Sequence, residues 1–81
     1  MLKQIRANFL KINDKVVFDL NGELVVDAKE EPEQFKTAVV TELFGTGYGY
    51  NARSTGFRVD GILLEGYQLG NHRLVFIEVL S

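Results

Sequence analysis

Apolar and polar positions alternate through the first dozen residues and then change phase. Ile5, Ala7 and Phe9 recur at period two, whereas Leu10 and Ile12 fall on the opposite phase. Period two marks a strand half-buried on one face. The phase change predicts a bulge or bend near Phe9 or Leu10, and Asn13-Asp14 reads as a turn. The next stretch, KVVFDLNGELVVDA, is the clearest hairpin in the chain. Asp19-Leu20-Asn21-Gly22 fits a type I turn with glycine in the left-handed conformation. A three-residue loop of this kind pairs Phe18 with Leu24, Val17 with Val25, Val16 with Val26 and Lys15 with Asp27. A two-residue Asn-Gly turn is the competing choice, but it sets Val16 across from Asp27 and breaks the segregation of faces.

The pattern then changes to helical spacing. Phe35, Ala38, Val39 and Leu43 lie at i, i+3, i+4 and i+8, and Val40 and Phe44 widen the stripe. Pro32 suits a first helical turn, and Glu30, Glu31 and Glu33 suit the positive end of the macrodipole. Together these predict a helix from Pro32 to Phe44, stopped by Gly45 in a left-handed turn. Beyond residue 56, Phe57 and Val59 share one phase and Ile62 and Leu64 the other, so Gly61 between them predicts a bulge. Gly70-Asn71 suits a type II′ turn, pairing Leu64 with Ile77, Ile62 with Val79 and Gly66 with Val75. The last strand is apolar on both faces, which favours an interior place in the sheet. On the other side of this hairpin, Glu65, Tyr67 and Glu78 are expected at the surface, with Leu63, Leu74 and Phe76 forming an apolar patch that needs cover. The expected fold is therefore α+β, in two layers: one helix on an antiparallel sheet of four or five strands, in the order β-β-β-α-β-β.

Length bounds this picture. The 81 residues suit one compact domain over 1–81. No apolar run reaches the roughly 20 residues that span a bilayer, and the start lacks the features of a secretory leader. There is no cysteine, which removes disulfide and thiolate chemistry and fits a reducing, cytoplasmic setting. Charge is spread unevenly. Residues 1–15 hold Lys3, Arg6, Lys11 and Lys15 against Asp14 alone, a balance of +3. Residues 19–42 hold seven acids against Lys29 and Lys36, a balance of −5. A duplex-binding domain is normally clearly basic, and the overall charge of −2 is not.

Candidate chemistry concentrates in Gly45–Gly56, GTGYGYNARSTG. Its alternating glycines suggest a phosphate cradle, but such a cradle precedes a helix and usually carries a lysine. Here the loop is expected after a helix and contains no lysine. Tyr48, Tyr50 and Arg53 can form a stacking platform for single-stranded nucleic acid or a nucleotide, extended by Arg58 and the basic first strand. Tyr, Gly, Ser and Asn are also the composition of protein-binding loops, and Tyr and Arg are enriched at interface hot spots. A loop near 12 residues is long for a compact domain and usually functional or disordered. Protein recognition through Tyr48, Tyr50, Asn51, Arg53 and Arg58 is therefore the preferred expectation, in the role of adaptor or inhibitor, with homo-oligomer assembly as a further use of the loop. Glu30, Glu31 and Glu33 can steer a basic partner. His72, the only histidine, has no nucleophile with an adjacent base beside it, and no ligand spacing points to a metal. Neither an enzyme nor a cofactor is expected.

Overall fold

The computed structural model describes residues 1–44, 54–61 and 66–80. Six strands form one antiparallel sheet: β1 (Leu2–Arg6), β2 (Lys15–Phe18), β3 (Lys36–Phe44), β4 (Ser54–Val59), β5 (Tyr67–Gly70) and β6 (Leu74–Glu78). Their order across the sheet is β1-β6-β2-β3-β4-β5. A single 3-10 turn, Ala7–Phe9, is the only helical element among the described residues.

The expected α+β fold is thus corrected to an almost purely antiparallel sheet. The helix predicted over 32–44 does not form; Lys36–Phe44 is the longest strand. The reason lies in residue type. Thr37, Val39, Val40 and Thr41 are β-branched, and their stiff χ1 angles favour a pleated surface over a helix. The same residues also satisfy period two, with Ala38 and Val40 buried on one face. Nine extended residues let β3 serve two partners. Its first part pairs with β2, from Phe18↔Lys36 to Lys15↔Val39, and its second part pairs with β4, from Val40↔Val59 to Phe44↔Gly56. A register shift between Val40 and Glu42 marks where the strand turns from one partner to the other.

The first hairpin is right at its tip and different below it. Asp19 N–H donates to Glu23 O (2.8 Å), Gly22 N–H donates to Asp19 O (3.0 Å), and Val25 N–H donates to Val17 O (3.3 Å). Gly22 takes φ +85, the left-handed value the turn requires, and the Asp19 carboxylate accepts from the N–H groups of Asn21 and Glu23. Phe18 bridges Leu24, but Val26 bridges Val75 instead of Val16, and Lys15 pairs with Val39 and Glu78 instead of Asp27. The returning arm peels away from β2 and is captured by β6.

The last strand is interior as expected, lying between β1 and β2. The Gly70-Asn71 hairpin is not present. Arg73 N–H donates to Gly70 O (3.0 Å) in a four-residue turn that joins β5 to β6, strands at different places in the sheet. Neither Asn71 nor His72 takes a positive φ, so the turn is not of the II′ type. Gly66 therefore does not pair with Val75, and the other expected pairs involve residues outside those described. Gly61, at φ +77, follows the end of β4 and is not a bulge within a strand.

The core occupies one face of the curled sheet: Val16, Phe18, Ala38, Val40, Phe57, Val59, Val75 and Ile77, with Leu10 added from the β1–β2 connection. Because β1 and β2 are both antiparallel to β6, they run in the same direction, and residues 7–14 must return along the length of the strand between them. This connection packs Ala7–Phe9 toward β4 and β5 and buries Leu10. It ends by extending the β3 ladder, with Asn13 N–H donating to Val40 O (2.9 Å) and Val40 N–H donating to Asp14 O (2.8 Å). Residues 2–12 are accordingly a short strand and a crossover, not one bent strand.

Candidate functional site

The expected binding residues Tyr48, Tyr50, Asn51 and Arg53 lie outside the described residues. Their framework is described on both sides. Phe44 pairs with Gly56 as the last rung of the β3–β4 ladder, so residues 45–53 join the two strands of one hairpin. They do not follow a helix, and the dipole argument against a phosphate cradle loses its premise. What still opposes a cradle is the absence of lysine from the loop and the strand, not helix, that follows it.

Arg58 is described, on the solvent side of β4. Its guanidinium lies 3.2 Å from Glu42 Oε2 and 5.6 Å from the centre of the Phe44 ring. Glu42, Phe44, Gly56 and Arg58 share the outer face because they are register partners two residues apart. Gly56 is required by close approach: a Cβ there would stand 2.5 Å from Phe44 O and 2.7 Å from its ring. The same ring crosses to Gly66, where a Cβ would meet Phe44 Cζ at 2.6 Å. Phe44 therefore lies flat across two glycines, 38% exposed, beside the entrance to the loop. Gln68 Nε2 donates to Ser54 Oγ (2.8 Å) on the adjoining part of β4 and β5. This makes a firm aromatic and polar platform. Sequence reading assigned Phe44 to a helix stripe and missed it; the alternation of Glu42 and Phe44 with Leu43 was the available signal.

A second surface lies along β1. A groove of about 570 Å³ runs between this strand and the 9–14 connection, lined by Lys3, Ile5, Arg6, Phe9, Lys11 and Ile77 among others. Lys3, Arg6 and Lys11 form no ion pair among the described residues. Asp14, the acid in this wall, accepts Lys11 N–H at 2.9 Å. Phe9 is 58% exposed, although its alternation with Ile5 and Ala7 predicts a buried residue. The +3 balance of residues 1–15 was visible in the sequence; its collection along one groove was not.

Elsewhere the polar groups serve structure. Leu74 N–H donates to Asp27 Oδ1 (2.8 Å), and Arg73 Nε donates to Asp27 Oδ2. The Leu74 hydrogen bond outweighs the desolvation that opposes it and, with the Arg73 guanidinium added, holds the Asp27 carboxyl below its usual value of 3.8. Thr55, 1% exposed, donates from Oγ1 to Asn71 Oδ1 at 2.8 Å. Tyr67 is not the surface residue expected. It stacks on Phe57 at 5.4 Å and meets Phe18 at 5.5 Å, and burial pushes its phenol up. His72 is exposed in the β5–β6 turn. Among the described residues no three acidic or histidine side chains are grouped to hold a metal ion, and no helix is long and apolar enough to cross a membrane.

Compared with known proteins, the chain matches no family model, no curated protein and no solved structure.

Proposed function

We propose that this chain is a non-enzymatic binding module, an adaptor or inhibitor inside the cell, that works by protein–protein contact through residues 45–56. The observation that carries this reading is the setting of the loop. It is held by the longest strand of the sheet and borders an exposed Phe44–Arg58 platform whose backbone is set by the Gly56 contact. Aromatic and arginine surface beside a segment rich in Gly, Tyr and Asn is the usual makeup of a protein-recognition site. The rival reading is single-stranded nucleic acid or a nucleotide on Tyr48, Tyr50 and Arg53, with Arg58 as a cation that extends the track. Its pairing with Glu42 weighs against that.

Quantitative affinity capture from the native host tests the proposal, comparing the wild-type chain with a Tyr48→Ala/Tyr50→Ala/Arg53→Ala variant. The expected result is loss of one or a few specific protein partners with the fold unchanged by circular dichroism. An identical partner set from both chains overturns the loop as the contact site. Fluorescence anisotropy with short DNA and RNA oligomers separates the rival: saturable, salt-sensitive binding that the same variant abolishes would replace protein with nucleic acid. Light scattering across a concentration series tests whether the partner is a second copy.

A further inference from the structure

We propose that the free edge of β1 and its groove take an extended acidic segment of a partner protein, which adds a strand to the sheet. This surface is separate from the loop and does not depend on it. Among the described residues β1 pairs only with β6, at one end of the strand order. The direction of its backbone groups follows from the bonds that flank it. Val79 N–H donates to Met1 O (2.9 Å) and Ala7 N–H donates to Arg73 O (2.8 Å). In an antiparallel ladder the hydrogen-bonded pairs recur every second residue, so Lys3 and Ile5 also face β6. Leu2, Gln4 and Arg6 then present N–H and C=O groups outward. That alternation of donor and acceptor matches a peptide backbone and has no counterpart in a nucleic acid.

Charge decides which peptide. Lys3, Arg6 and Lys11 line the groove without ion-pair partners among the described residues, and the Asp14 carboxylate is engaged by Lys11 N–H. Cationic side chains on an edge strand discourage pairing with a like edge. Two β1 edges brought together would gather the cations of both copies along one seam, the Lys3 pair on one face and the Arg6 pair on the other, so a second copy is disfavoured at this edge. An acidic segment meets the opposite situation. Lys3 and Ile5 share one face of β1 and Arg6 lies on the other, so the segment needs acids on both faces, with aliphatic side chains placed to meet Ile5 and the exposed Phe9. The inferred ligand is thus an extended stretch of about five to seven residues with Glu or Asp on both faces and aliphatic residues between them.

The probe is a fluorescein-labelled heptapeptide with glutamate on both faces, Glu-Glu-Val-Val-Glu-Glu-Val, titrated by anisotropy against the full chain tagged at its C terminus. Saturable binding that weakens with salt is expected, with Lys3→Glu/Lys11→Glu lowering affinity by about tenfold or more. Gln4→Pro removes an outward N–H without touching the ladder to β6, and edge strands tolerate proline. It also removes the Gln4 Nε2 bond to Ala28 O (2.9 Å), so Gln4→Ala, which loses that bond alone, is the control and should bind normally. Gln4→Pro should abolish binding while melting remains cooperative. Should Gln4→Pro fail to fold, a peptide N-methylated at alternate residues makes the same test from the ligand side. Retained binding by the N-methylated peptide, by folded Gln4→Pro, or by a lysine–valine peptide of opposite charge would overturn the proposal. So would absence of saturation, or displacement of the peptide by an oligothymidylate. The loop variant Tyr48→Ala/Tyr50→Ala/Arg53→Ala should bind the peptide normally, which keeps the failure of either site distinct from the other.

Discussion

At Gly56 a single missing methyl group permits the contact between β3 and β4 beside the loop. The nearest neighbour of a Cβ there is the Phe44 carbonyl oxygen at 2.5 Å, backbone that cannot swing aside. Gly56→Ala is therefore expected to cost about 1–3 kcal/mol, the range of an overpacked site, measured by urea denaturation. Phe44→Leu in the same chain should not restore the loss, because the carbonyl remains. Restoration by Phe44→Leu would show that the ring, not the backbone, sets the limit. Tyr67 poses the opposite case. Its ring is well packed between Phe18 and Phe57, yet its buried hydroxyl has no hydrogen-bond partner among the described residues. A buried unsatisfied hydroxyl costs free energy that a phenyl edge does not. Tyr67→Phe should leave stability unchanged or raise it by about 1 kcal/mol; a clear decrease in the denaturation midpoint would contradict this.

Among elements, the 23–27 arm shows how one strand-like segment can begin in one partnership and end in another. Its turn is legible in the sequence because Asp19 and Gly22 each perform a local task, accepting two N–H groups and supplying φ +85. Its departure from β2 is not, because it depends on Asp27 meeting the backbone of Leu74, 47 residues away. The same distinction explains the helix that does not form. Residues 35–44 satisfy both a 3.6-residue and a two-residue period, and only the β-branched residues Thr37, Val39, Val40 and Thr41 favour the strand that tertiary pairing selects. The β5–β6 turn differs from expectation for a related reason: residues 70–71 suit a tight turn, but strands that are neighbours in sequence need not be neighbours in the sheet. Of the candidate site, Arg58 and the basic N-terminal charges were legible as residues, whereas the Phe44 platform and the β1 groove depend on strand order. Asp27 also provides a pH test. Its folded-state carboxyl is held below 3.8 by Leu74 N–H first and Arg73 second. A depressed folded pKa gives stability that is present in full above the unfolded value, about 3.9, and is lost as pH falls through the folded one. Asp27→Asn retains an acceptor for Leu74 N–H and tolerates the φ of 55 at this position, but lacks the charge. In urea titrations from pH 7 to pH 2.5, the advantage of wild type should hold at neutral pH and shrink below about pH 4. An advantage that grows on acidification would contradict the assignment.

Across the whole molecule, β3 is the strand that makes six strands one sheet. The β1-β6-β2 side and the β4-β5 side meet only through it in the strand order. Val40 sits at the junction with no exposed surface; its N–H and C=O bond to Asp14 and Asn13, and it pairs with Val59 of β4. A residue tied to both sides should couple their stabilities, so the chain is expected to unfold in one transition despite its split pairing. Native-state hydrogen exchange makes the test. The slowest amides of β6 and of β4 should report the same opening free energy, and Val40→Ala should lower both by roughly 2 kcal/mol, the scale of a truncated core aliphatic. Val75→Ala, on β6 and away from the β3 junction, should also lower both if unfolding is global. If Val75→Ala lowered protection in β6 but left β4 unchanged, the two sides would open independently, and β3 would be a hinge between them. The pairing of β1 with β6, the first and last strands of the chain, makes the topology strongly non-local. Loop closure must precede most of its contacts, so refolding is expected in the millisecond-to-second range by stopped flow. Microsecond folding would show that a local unit, with the 15–25 hairpin the foremost candidate, already holds most of the stabilising contacts in the transition state.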